Sequence, residues 1–286
     1  MLTFAIPVAF MTSLGLLLAA VLVIANKRLY VFEDPRIDEV EELLPHANCG
    51  ACGTAGCRAF AEKLVAGELE PGGCTVNSKE GNQIIATFLG VDLGGQETRV
   101  ARLACAGGSN VARLHAGYEG LSDCRAAALV SGGGKDCTWG CLGLGDCDRV
   151  CDFNAIAMNT HDLPIVDADQ CTACGDCVEI CPRDLFSLQP VSRRLWVACK
   201  NQEKGEAAEA ECTVACNACG RCVADAPETL ISINNNLAII DYAKDSLASK
   251  VAIERCPTGA IVWLDGGTNK GRGAIKIIRK EALPVE

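Results

Sequence analysis

Aromatic side chains are scarce in this 286-residue chain: three Trp, three Tyr and seven Phe, 5% of the total. So small a supply argues against one large core and for small folded units, in which bound groups replace part of the apolar packing. Positive charge is also short. The 26 Lys and Arg against 36 Asp and Glu leave a net charge of −10, without the basic footprint that nucleic-acid binding needs. His46, His115 and His161 are scattered. His46 precedes a cysteine-rich loop, but a surface or packing role suits it better than a functional one. Carboxylates are plentiful but unpaired, so nothing supports acid–base catalysis. No charge precedes Lys27, so the positive n-region of a cleaved leader is missing.

What the chain has instead is cysteine and one long apolar run. Phe4–Ala25 is uncharged, and at ~1.5 Å per residue it covers the ~30 Å hydrocarbon core of a bilayer. A single-pass anchor at 1–28 is the expectation. Lys27 and Arg28 follow at once, which places the C-terminal bulk on the cytoplasmic side of the cell inner membrane. There thiols stay reduced.

Fourteen of the twenty cysteines sit in short-spaced groups (49–57, 137–151, 171–181 and 216–222). Disulfide scaffolds do not need such tight runs, whereas metal ligation does. Cys171-x2-Cys174-x2-Cys177-x3-Cys181-Pro182 is the bacterial ferredoxin run, in which three cysteines hold one [4Fe–4S] cluster and the fourth reaches to another. Its partner, Cys137-x3-Cys141-x5-Cys147-x3-Cys151, has looser spacing and Asp152 where proline is usual. Cross-ligation assigns Cys137, Cys141, Cys147 and Cys181 to one cluster, and Cys151, Cys171, Cys174 and Cys177 to a second. Zinc would want two Cys-x-x-Cys pairs per site and leaves the triplets unexplained.

A later repeat is incomplete in an orderly way. Cys216, Cys219 and Cys222 are followed by Ala226-Pro227, and Cys256-Pro257 is preceded at ferredoxin spacing by Ser246, Ser249 and Ala252. All four ligands of one cluster are gone, and Cys216, Cys219, Cys222 and Cys256 remain for the other. Four segments align across the repeats, CDFNAIAM (151–158), CPRDLFSL (181–188), APETLISI (226–233) and CPTGAIVW (256–263); each runs into a β-prone stretch. LISINNNLAIIDY reads as a hairpin with Asn-rich turn chemistry.

Nearer the anchor, Asp34–Leu44 reads as a short amphipathic helix with Ile37, Val40, Leu43 and Leu44 on one face. It leads to Cys49-x2-Cys52-x4-Cys57-x16-Cys74, a four-thiolate set in a loop carrying Gly50, Gly53 and Gly56. That set fits a cluster, although a structural zinc site has the same ligand count.

Cys105, Cys124, Cys199 and Cys212 remain. RLACAGG (102–108) and LWVACKN (195–201) are similar contexts, each a strand ending in cysteine with a second cysteine further on. A fifth cluster, two disulfides and buried free thiols are all open readings. Gly140-x-x-Gly143-x-Gly145 lies inside a cysteine run and opens no helix after a strand, so it is not read as a dinucleotide site. Arg193, Arg194 and the basic tail residues Lys270, Arg272, Lys276, Arg279 and Lys280 are candidates for steering an acidic partner, with a simply solvated tail the alternative reading.

The expected architecture is α+β, built from small iron–sulfur modules. It runs as an anchor (1–28), an N-terminal [4Fe–4S] domain (32–95), a connecting segment (98–134), a two-cluster ferredoxin-like module (135–190), an inserted segment (191–215), a one-cluster module (216–266) and a basic tail (267–286). Four [4Fe–4S] clusters are expected and a fifth is open.

With the anchor, ANCGACGTAGC with Cys74, YEGLSDCRAA (118–127) and GCLGLGDC (140–147), nearly the whole chain resembles the B subunits of Rnf complexes, the RnfB family of membrane-bound ferredoxin:NAD oxidoreductases that move sodium ions or protons. The resemblance implies an iron–sulfur first loop and electron transfer between soluble ferredoxin and other membrane and peripheral subunits. Flavin and NAD chemistry would sit elsewhere. The missing cluster of the last module puts in doubt any cluster count carried over from longer relatives. A membrane system that resets a redox-sensing transcription factor would use the same wiring.

Overall fold

The computed structural model describes residues 2–29, 33–95, 97–227 and 229–264. The candidate docking residues Lys270, Arg272, Lys276, Arg279 and Lys280 lie outside them. Helix α1 (Leu2–Leu29) extends the apolar run at both ends. Its Val8–Arg28 stretch of 21 residues is long and apolar enough to cross a membrane, and none of it is buried against the rest of the protein.

The next unit is helical: α2 (Arg36–Glu42), α3 (Cys57–Val65) and α4 (Lys79–Leu89). Val40, Leu44, Phe60, Ala61, Leu64 and Ile85 form its core, where a large apolar side chain contributes roughly 1.5–3 kcal/mol on full burial. Leu43, expected on this face, is exposed because α2 ends at Glu42 and Leu43 is its C-cap residue. Arg58 ties α3 to α2 through Glu33 (2.5 Å), Asp38 (2.9 Å) and Glu41 (2.8 Å). Ser78 caps α4 by accepting the Gly81 N–H, and Gly90 ends it in the left-handed region.

Beyond residue 98 the described residues build four two-stranded antiparallel sheets. Strand β1 (Arg99–Leu103) is followed by α5 (Cys124–Leu129) and α6 (Asp146–Arg149). Strands β2 (Ile156–Met158) and β3 (Pro164–Val166) form a hairpin, and α7 (Asp176–Ile180) leads to β4 (Phe186–Pro190). The pattern then recurs. Strand β5 (Leu195–Val197) precedes α8 (Glu206–Glu211), α9 (Arg221–Asp225), the hairpin of β6 (Ile231–Asn234) and β7 (Leu237–Ile240), α10 (Val251–Glu254) and β8 (Ile261–Trp263). The four aligned segments supply β2, β4, β6 and β8.

The stretches expected as connector and insertion each contribute a strand. β1 pairs with β4, Arg99 opposite Pro190 and Leu103 opposite Phe186. β5 pairs with β8, Leu195 opposite Trp263. Each repeat therefore has a first strand, ending just before Cys105 or Cys199, that pairs with its last. The two repeats meet where the Trp196 Nε1–H donates to the Leu103 carbonyl (2.9 Å). Nearby, the buried Arg102 guanidinium donates to the Arg193 and Val191 carbonyls (3.0 and 3.3 Å).

Candidate metal centres

The hairpin repeats hold cysteines at the ends of very short helices, where a left-handed residue turns the loop back on itself. Gly145, Gly175 and Gly220 precede α6, α7 and α9 in that conformation, which costs glycine little. Gly143 shares it, and a Cβ there would sit 2.7 Å from the Asp162 Cβ. The Gly-x-x-Gly-x-Gly pattern thus serves a tight cysteine loop ahead of a four-residue helix.

Three expected sets are each brought together around one cavity. Cys49, Cys52, Cys57 and Cys74 line about 320 Å³ of space; Cys151, Cys171, Cys174 and Cys177 line about 310 Å³; Cys216, Cys219, Cys222 and Cys256 line about 340 Å³. In the first, Asn48 Oδ1 accepts the Cys57 N–H (2.8 Å) and closes the loop. Its side chain fills the space beside Gly56, where a Cβ would lie 2.7 Å from that oxygen. The sequence offered no signal for Asn48 beyond a short polar residue beside a cysteine loop.

The fourth expected set is divided. Cys137 is not grouped with Cys141, Cys147 and Cys181; it lines a separate cavity of about 320 Å³ with Cys105, Cys199 and Cys212. Cys124 lies instead near Cys147 and Cys181. The cause is local. Asp123 caps α5 by accepting the Ala126 N–H (2.9 Å), and Asp146 accepts the Cys124 N–H (2.9 Å) next to Cys147. Arg149, paired with Asp146, also donates to the Ser122 carbonyl (2.7 Å) and locks the turn. The grouping of Cys105, Cys124, Cys199 and Cys212 is therefore not assembled either: Cys124 and Cys137 exchange places.

These arrangements suit a polynuclear group better than a single ion. Among the described residues no three His, Cys, Asp or Glu side chains converge closely enough to hold one metal ion, as zinc with Zn–S bonds of about 2.3 Å would require. No disulfide joins any of the twenty cysteines. Several sulfurs accept backbone N–H bonds, including Cys171 from Ala101 (3.5 Å) and Cys181 from Leu185 (3.5 Å), the contacts that tune iron–sulfur potentials. Burial pushes the Cys147 and Cys177 thiols up to about 12 and Cys174 and Cys222 to about 11. Thiolates are costly there without a cation.

Beyond residue 98 the sets also adjoin one another. Cys147 and Cys177 lie in one buried cluster with Val100, Ile156 and Phe186, and Cys151 packs against it. The Cys141 N–H donates to Cys105 Sγ (3.4 Å), and the Cys216 N–H donates to Cys199 Sγ (3.3 Å). Arg193, a candidate docking residue, lies half-buried over the Tyr242 ring (4.4 Å) and bonds Gln189, while Arg194 is exposed. His46 is exposed and sits in the left-handed region.

Residues 44–76 match the family model described as "Putative Fe-S cluster", and residues 164–186 match the 4Fe-4S binding domain. The chain is 41% identical over 273 residues to the B subunit of the Na(+)-translocating ferredoxin:NAD(+) oxidoreductase complex of Acetobacterium woodii, covering 96% of this chain and 81% of that protein. It is 40% identical to the B subunit of the proton-translocating ferredoxin:NAD(+) oxidoreductase complex of Clostridium ljungdahlii, over 91% of this chain and 92% of that protein. Against the B subunit of an ion-translocating oxidoreductase complex from Methanosarcina acetivorans, identity is 35% over 89% of this chain and 96% of that protein.

Proposed function

Because the chain belongs to the family of B subunits of ion-translocating ferredoxin:NAD(+) oxidoreductase complexes, we propose that it is the membrane-anchored subunit that takes electrons from soluble ferredoxin and relays them to its partner subunits. The observation that carries this reading is the gathering of four cysteines around one cavity three times over: Cys49, Cys52, Cys57 and Cys74; Cys151, Cys171, Cys174 and Cys177; and Cys216, Cys219, Cys222 and Cys256. The ligand sets proposed here are Cys49, Cys52, Cys57 and Cys74; Cys151, Cys171, Cys174 and Cys177; Cys216, Cys219, Cys222 and Cys256; and one around Cys141, Cys147 and Cys181. When bound, [4Fe–4S] clusters supply one-electron storage and transfer. The chain's own work is to hold the thiolates apart at fixed places, to donate N–H groups to their sulfurs and to keep water out with Ile156, Leu163, Phe186, Leu230 and Ile261.

Electrons leave through the N-terminal set in this reading, since Cys49 follows the end of α1 by only about 20 residues. Lys27 and Arg28 hold the folded bulk on the cytoplasmic side. No flavin or NAD is assigned to this chain; those groups belong to the partner subunits.

The basic tail gives a test of the ferredoxin step. In the anaerobically purified, detergent-solubilised full chain, reduced ferredoxin should bleach the broad visible iron–sulfur absorbance. Deleting residues 270–280 should slow that bleaching at low salt by about tenfold or more, and the difference should vanish at high salt as steering is screened. An unchanged rate at low salt would exclude the tail as the docking element. No bleaching of the intact chain would overturn the ferredoxin assignment.

A further inference from the structure

We propose that Cys105, Cys137, Cys199 and Cys212 hold a fifth [4Fe–4S] cluster, and that Cys124 completes the set of Cys141, Cys147 and Cys181. The proposal rests on the iron–sulfur reading of the other sets and adds a site between them. Four observations carry it.

First, the four cysteines line one largely apolar cavity, as do the three sets that sequence spacing also groups. They are 5–9% exposed, and no disulfide joins them. Second, polar hydrogens are aimed at their sulfurs. Cys105 Sγ accepts the Gly107 and Cys141 N–H groups (both 3.4 Å), and Cys199 Sγ accepts those of Asn201 (3.4 Å) and Cys216 (3.3 Å). Asn201, 1% exposed, turns its side-chain amide to Cys137 Sγ (3.5 Å) and is held by Glu211 (2.7 Å). A buried amide bound to a carboxylate on one side and to sulfur on the other is an orienting group rather than packing.

Third, the backbone keeps the space open. A Cβ on Gly107 would lie 3.0 Å from Cys212 Sγ and 3.7 Å from Cys105 Sγ. The cavity forms where the loops after the two first strands run antiparallel. Ala112 bridges Cys212, the Arg113 N–H donates to the Glu211 carbonyl (2.8 Å), and the Thr213 N–H donates to that of Val111 (3.1 Å). Lys135 ties the cavity to the neighbouring set through the Gly107 and Cys141 carbonyls (2.5 and 2.6 Å). Fourth, with Cys124 and Cys137 exchanged, the twenty cysteines divide into five sets of four with none left over.

Loading releases four protons to solvent as each thiol sulfur exchanges hydrogen for iron. A cluster held by these four thiolates would supply one-electron acceptance from a reduced neighbouring site and donation to an oxidised one. The position is the point of the proposal: through Cys105 the site adjoins the set of Cys141, and through Cys199 it adjoins the set of Cys216. It joins the two repeats into one continuous series.

The test uses the full-length chain, anaerobically reconstituted with iron and sulfide. About twenty irons per chain are expected, with Cys105, Cys137, Cys199 and Cys212 protected from native alkylation until the iron is chelated. C137S and C199S should each remove about four irons and the same EPR component, and the double variant should remove no more than either alone. C124S should remove a different component, shared with C147S, and its loss should add to that of C199S. If a variant fails to fold, the wild-type iron count and thiol map still decide. About sixteen irons with those four thiols alkylated in the loaded chain, or C137S and C147S removing one shared component, would overturn the fifth site and leave the four-cluster relay standing.

Discussion

Cys181→Ser is expected to remove about four irons per chain from the site of Cys141 and Cys147, and to leave the site of Cys171, Cys174 and Cys177 loaded. Cys181 sits in the second cysteine run but is not among the residues that line that run's own cavity. Its sulfur accepts the Leu185 N–H and packs against Leu163 and Leu185 beside Cys105 and Cys141. In the proposed series the site of Cys141 and Cys147 stands between the Cys171 set and the second repeat, so electron flow between the repeats should collapse while each end still reduces. Site-resolved EPR after partial reduction separates the outcomes. Loss of the Cys171 component with the Cys147 component intact would show that ligation stays within the run.

Removing residues 1–29 should convert the chain from a membrane-bound to a soluble protein without loss of iron. Leu, Ile, Val and Phe each favour insertion by about 0.3–0.6 kcal/mol near the centre of a membrane helix, and Val8–Arg28 is dominated by apolar residues with none buried in the rest of the protein. The N-terminal core is made by Val40, Leu44, Phe60, Ala61, Leu64 and Ile85, all beyond the cut, so that unit should keep its fold. Alkaline-carbonate washing of membranes, followed by iron analysis of the soluble fraction, reads both halves of the result. A truncated chain that stays in washed membranes would mean that another surface does the anchoring. A soluble chain without iron would mean that α1 contributes to cluster retention.

Much of this arrangement was legible in the residue order, for identifiable reasons. A cysteine triplet with two-residue gaps wraps one loop around one cavity, as at Cys171 and Cys216, and the glycine-rich Cys49-x2-Cys52-x4-Cys57 loop does the same with a longer second gap. The β-prone stretches after each Cys-Pro or its derivative became β2, β4, β6 and β8, because a short strand needs only local alternation and a partner. What spacing could not give was any contact set by the first strands. β1 and β5 pair with strands far along the chain, and the loops behind them meet each other through Ala112 and Cys212. Neither the cavity they enclose nor the presence of Cys137 in it leaves a local mark. Similar cysteine contexts at 105 and 199 were visible, but the exchange of Cys124 for Cys137 depends on Asp146 accepting an N–H from 22 residues away. Leu43 shows the same limit on a smaller scale: its helical periodicity was sound, but α2 stopped one residue short of it.

The central claim is that this chain is a series of interacting iron–sulfur sites. A reductive titration of the anaerobic full-length protein, with EPR spin integration at each step, tests it most directly. Full reduction should give about five one-electron spins per chain, with lines broadened by coupling between neighbouring sites. A colourless, EPR-silent protein carrying zinc, or a single isolated spin per chain, would contradict it.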